Sequence, residues 1–135
     1  MKKAFLPALA LAPVAALAAP LVDYVVEDAA SIPAPLAEWS GDPGPGAALY
    51  AAAGCAGCHD GDGAPDFAEM GARLSAGEIR LMIVEPRIVD PETAMPAYYT
   101  PGKAGEAPDE LVGRTRLTAL EIEQIVAFLT AGAAP

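Results

Sequence analysis

Cysteine and histidine are nearly absent from this chain, which has two of the first and one of the second in 135 residues. A structural zinc site takes four ligands, usually cysteines and histidines arriving in two pairs, and the chain cannot supply them. Aromatic residues make up only 6% of the sequence and alanine is abundant, so there is little side-chain bulk to fill a core. A large apolar cofactor would fill it. Basic residues are also scarce, 8 against 18 acidic ones, for a formal charge of −10. A surface of that sign repels nucleic acid and anionic membranes, so neither is expected as a partner, whereas a partner with a basic patch is steered toward it.

A long uninterrupted apolar run is missing too. The best candidate, "AFLPALALAPVAALA" from Ala4 to Ala18, is broken by Pro7 and Pro13. It is short for a bilayer span, which needs roughly 20 residues. With Lys2 and Lys3 before it and Ala16-Leu17-Ala18 at its end, it reads as an export signal cleaved after Ala18. The expected location is the periplasm, with no membrane span after cleavage. The mature chain, 19–135, then has 6 basic residues against 18 acidic ones, a formal charge of −12. At 117 residues it is at most one domain.

The rest of the chain reads as helices joined by long loops. Residues 19–43 form an irregular Pro-rich arm that includes Trp39, with a short strand expected at Leu21 to Val26. "GAALYAAAG", Gly46 to Gly54, is a helix by propensity, entered after Pro45. "HDGDGAPDF", His59 to Phe67, reads as loop. Ser75 with Glu78, and Thr118 with Glu121, are capping boxes that open two further helices. Pro86 stops the first and Gly132 the second. In the last helix Ile122, Ile125, Val126 and Leu129 share one face, with Phe128 beside them. Val89 to Glu110 is largely loop. The fold class is all-α.

Both cysteines and the histidine fall in one stretch, "GCAGCHD", Gly54 to Asp60. Thioredoxin-like exchange places Cys-x-x-Cys at a strand-to-helix turn in a βαβ pattern, and here a helix leads in with no sheet signature after it. Cys55, Cys58 and His59 crowded into five residues do not close a zinc tetrahedron. A disulfide across so short a loop contributes little and leaves His59 unexplained. Haem fits every residue. In Cys-x-x-Cys-His the thiols of Cys55 and Cys58 add across two porphyrin vinyl groups, and His59 gives an imidazole nitrogen to the iron. One covalently bound haem c is therefore expected.

With no second histidine, the opposite face of the iron is left to methionine, lysine, tyrosine, water or nothing. Met82 lies mid-helix among Ile79, Leu81 and Ile83, where a core gap-filler is the default. Met70 stands eleven residues after His59 and would need a tight return. Met95, in the loop "DPETAMPAYY" and fixed by Pro96, is the favoured ligand. Cofactor-binding residues are then Cys55, Cys58, His59 and Met95, with His59 and Met95 on the metal. The Pro65 carbonyl is placed to accept a hydrogen bond from the other nitrogen of His59.

Helix, "CAGCH", proline loop, "MP" and C-terminal amphipathic helix occur here in the order that class I c-type cytochromes show, and residues 44–132 resemble that family. The resemblance implies crossed N- and C-terminal helices around one haem c, with Gly46 and Tyr50 meeting Ile125 and Phe128. It implies a cytochrome c domain at 44–135. "RIVDPETAMPAYY" and "LVGRTRLTALEIEQIVAFLTAG" further resemble the SoxX family, the small mono-haem subunits of periplasmic SoxAX thiosulfate-oxidising complexes.

That similarity implies a heterodimer with a larger SoxA-like cytochrome subunit, which carries the catalytic cysteine-ligated haem. The whole would be an L-cysteine S-thiosulfotransferase that couples thiosulfate to a cysteine of a sulfur-carrier protein. This chain would supply no catalytic residue and would relay electrons to a soluble cytochrome. The alternative is an independent electron-shuttle cytochrome c.

Overall fold

The computed structural model describes residues 20–38, 42–61 and 64–132. The proposed signal, 1–18, and Trp39 lie outside the described residues. Among these residues five helices carry the fold: α1 (Pro43–Ala52), α2 (Ala56–His59), α3 (Phe67–Arg73), α4 (Ala76–Val84) and α5 (Ala119–Ala131). Two 3₁₀ turns, Pro86–Ile88 and Asp109–Leu111, punctuate the long segment between α4 and α5. Among the described residues no helix is long and apolar enough to cross a membrane.

The expected capping boxes are both present. Ser75 and Thr118 each accept from the backbone three residues on, and Glu78 and Glu121 bond back to the cap nitrogens at 2.8 Å. The first helix begins earlier than the expected Gly46, because Asp42 caps it by accepting from the Gly44 amide at 2.9 Å. Pro43 and Pro45 then sit in the first turn, where a helix has no use for their missing donors. Leu21 to Val26 is not a strand. Among the described residues, the pairing nearby is an isolated bridge between Glu27 and Ser31, closed by a turn with positive φ at Asp28 and Ala29. A β-rich segment without a neighbouring strand has no ladder to join.

The main packing event is the crossing of α1 on α5. Gly46 is buried there, and a Cβ on it would collide with the Gln124 carbonyl oxygen and come within 2.6 Å of the Phe128 Cβ. A helix backbone cannot give way as a flexible side chain can. Gly46→Ala is therefore expected to lower stability by about 1–3 kcal/mol, overriding alanine's better helix propensity. Thermal unfolding of the holoprotein checks this; a midpoint equal to or above that of the parent would contradict it. Below the crossing, Ile122, Ile125, Val126 and Leu129 are buried as the periodicity of α5 requires.

The N-terminal arm packs on its own domain. Ile32 is fully buried and Leu36 nearly so. The Ile32 amide donates to the Gly77 carbonyl at 3.0 Å, and a side chain on Gly77 would press the Ile32 backbone. A buried ion pair completes the clamp. Arg80 of α4 meets Glu123 of α5 with both Nε (2.6 Å) and Nη2 (2.8 Å), and its Nη1 donates to the Ile32 carbonyl at 2.6 Å. Glu123 also accepts from the Leu36 amide at 2.9 Å. Each side chain is about 3% exposed, so both charges depend on these partners.

Candidate functional site

Helix α1 delivers the cysteine cluster. After Ala52 the chain turns through Gly54 at φ 81°, a left-handed conformation that costs glycine nothing. The Cys55 amide then donates to the Tyr50 carbonyl at 3.1 Å, and the next helical turn has His59 N bonded to the Cys55 carbonyl at 2.9 Å. Cys55 and His59 thus stand one turn apart, with Cys58 exposed between them.

The His59 Nδ1 lies 2.9 Å from the Pro65 carbonyl oxygen, the contact anticipated from the sequence. A carbonyl only accepts, so Nδ1 carries the proton and the lone pair of Nε2 is left for a metal. Pro65 is held in turn by its neighbours Asp66 and Phe67. Asp66 caps α3, accepting from Ala68 N at 2.8 Å and Glu69 N at 3.2 Å. Phe67 packs 5.1 Å from both Tyr50 and Phe128, tying the loop to the α1–α5 crossing.

Helix α3 was not anticipated. Its seven residues are too few for a periodic signal, though Asp66 with Glu69 three residues later is an N-terminal signature.

An apolar cavity opens beside this turn. Cys55, His59 and Met95 line it. Its walls are Ile79, Met82 and Ile83 from α4, Ile125 and Leu129 from α5, and Phe67, Met70, Gly71 and Leu74 from or beside α3. Met82 is therefore not core filler, as its place among aliphatic neighbours suggested, but part of the cavity wall. Met70 reaches the same wall because α3 doubles back. The donor set fits a haem: one free imidazole nitrogen, thioether sulfurs, a thiol at the edge and otherwise hydrocarbon.

Met95 reaches the cavity from a loop pinned on both sides. Its amide donates to Thr93 Oγ1 at 3.2 Å, and beyond Pro96 the Tyr98 amide donates to the Ile83 carbonyl at 3.0 Å. Tyr98, buried and hydrogen-bonded to the Ala53 carbonyl at 3.3 Å, is a site residue that sequence reading missed. Burial pushes its phenol up, so it remains a neutral donor beside the attachment turn. Tyr50 is likewise raised by burial and by Asp60, to which it donates at 3.3 Å.

The family model for cytochrome c matches residues 44–132. Among solved structures, the crystal structure of SoxXA from P. pantotrophus is similar at 27% identity and a TM-score of 0.68, over 84% of this chain and 95% of that one. No curated protein matches this sequence. The family match spans well over half of the chain and takes in the CxxCH turn, the apolar cavity and the crossed helices described above. The chain belongs to the cytochrome c family, as a class I electron-transfer member close to SoxX with one covalently bound haem c, for which Cys55 and Cys58 form a fitting CxxCH motif.

Proposed function

We propose that this cytochrome is the electron-relay subunit of a periplasmic SoxAX-like complex. In that reading it partners a larger cytochrome subunit that joins thiosulfate to a cysteine of a sulfur-carrier protein. Electrons pass from there through this chain to a soluble cytochrome. The observation carrying the proposal is the extent of the similarity to SoxXA. It covers 84% of 135 residues, more than the 89 residues of 44–132, and so reaches into the clamped N-terminal arm.

Bound haem c supplies one-electron chemistry between ferric and ferrous iron. Every other part is played by this chain's side chains. Cys55 and Cys58 serve as tethers, which leaves the chain no thiol for sulfur transfer. His59, oriented by Pro65, and Met95, oriented by Thr93 and Pro96, would hold the iron. With His59 and Met95 both holding the iron, no open position would be left for substrate, which suits relay rather than catalysis. The aliphatic wall from α4 and α5 would keep water from the cofactor, and a methionine ligand would raise the reduction potential.

The test is affinity purification of the tagged chain from thiosulfate-grown cells. A larger haem-staining subunit at equal stoichiometry is expected. A monomer that purifies alone, with thiosulfate oxidation intact after deletion of its coding sequence, would instead identify an independent shuttle.

A further inference from the structure

We propose that a pocket next to the Met95 loop is a binding site for a small divalent oxyanion. From residue 19 onward the chain has six lysines and arginines against 18 carboxylates. Two are committed elsewhere: Arg73 pairs with Glu69 at 2.8 Å and Arg80 is buried on Glu123. The other four, Arg87, Lys103, Arg114 and Arg116, all line one pocket of about 260 Å³. In so acidic a chain, cations without a function are expected to scatter among the carboxylates. Here, among the described residues, Lys103, Arg114 and Arg116 form no ion pair.

The carboxylates at this pocket do not neutralise it. Glu85 and Glu106 are the two on its wall, leaving a local formal charge of +2, the complement of a dianion. One oxygen of Glu85 already accepts from Thr100 Oγ1 at 2.7 Å, and the other lies 3.3 Å from Arg87. Three guanidinium groups offer planar N–H forks suited to an oxyanion.

The backbone that carries these groups is tied. Gly102 N donates to the Arg114 carbonyl at 3.2 Å and Gly113 N to the Gly102 carbonyl at 2.9 Å, which joins the two limbs of the loop. Gly102 is required there, since a Cβ would come within 2.5 Å of the Leu111 carbonyl oxygen and 2.7 Å of Ala107. Lys103 and Arg114 therefore leave adjacent points of a bridged loop. With liquid water occupying ~30 Å³ per molecule, the pocket holds a tetrahedral oxyanion with a few waters. It has no aromatic wall on which the base of a nucleotide would stack. Pro96 and Ala97, immediately after Met95, form its inner side.

The experiment is isothermal titration of the holoprotein with sodium sulfate and, separately, sodium phosphate at fixed ionic strength balanced with chloride. One saturable site is expected for each dianion. Arg114→Gln/Arg116→Gln should weaken both at least tenfold, and Lys103→Gln alone should weaken them severalfold. Arg73→Gln, away from the pocket, should leave them unchanged. Absence of saturable binding, or equal affinity in the Lys103→Gln and double-arginine variants, would overturn the proposal. So would a glutamate-rich peptide that binds the same residues more tightly than sulfate, which would make the pocket a protein-docking site.

Discussion

Replacing Met95 with alanine is expected to abolish the near-infrared charge-transfer band of Met-ligated ferric haem. It should also lower the reduction potential on the order of 0.1 V or more, within the ~0.8 V over which axial ligands set haem potentials. The cavity makes this a sharp test, because Met70 and Met82 also line it. Met82 is held mid-helix in α4 and Met70 within α3, so helix packing dictates the position of each sulfur. Met95 alone comes from a non-helical loop, and that loop is secured before it by Thr93 and after it by Pro96 and the Tyr98–Ile83 bond. Met70→Leu and Met82→Leu are therefore expected to keep the band. A Met95→Ala protein that retained it would move the ligand role to one of the other two.

The features legible in the sequence divide from the rest along physical lines. Local chemistry was legible: the CxxCH turn, both capping boxes and the Pro65 carbonyl on His59 each depend on residues within six positions of one another. The aliphatic face of α5 was legible because helical spacing alone decides it. Tertiary choices were not. Met82 looks like core from its neighbours in sequence, and only the return of α3 leaves a cavity for it to line. Leu21 to Val26 has the composition of a strand, yet a strand exists only with a partner, and none comes near among the described residues.

The arm also shows how a polar pair can be hidden in an amphipathic pattern. Glu123 sits between Ile122 and Ile125 in α5, and Arg80 between Ile79 and Leu81 in α4, where each reads as a solvated residue beside the apolar face. They are 43 positions apart, and no spacing rule links them. The arm itself brings them together, because its Ile32 carbonyl and Leu36 amide need partners once their side chains are buried. The ion pair supplies both.

Glu123→Ala is accordingly expected to cost about 3–5 kcal/mol, because it leaves the Arg80 guanidinium buried and unpaired and the Leu36 amide without its acceptor. Against a total stability of roughly 5–15 kcal/mol for a domain, that loss is a large fraction. Denaturant unfolding of the holoprotein measures it, and hydrogen exchange at the Leu36 amide reports whether the arm comes loose first. The double variant Arg80→Met/Glu123→Leu removes both charges and keeps apolar volume, so it should recover part of the loss, as replaced buried ion pairs often do. The two outcomes together separate the cost of an orphaned charge from the worth of the pair. A single variant within about 1 kcal/mol of the parent would mean that the pair is solvated in solution, since only an exposed ion pair is worth so little.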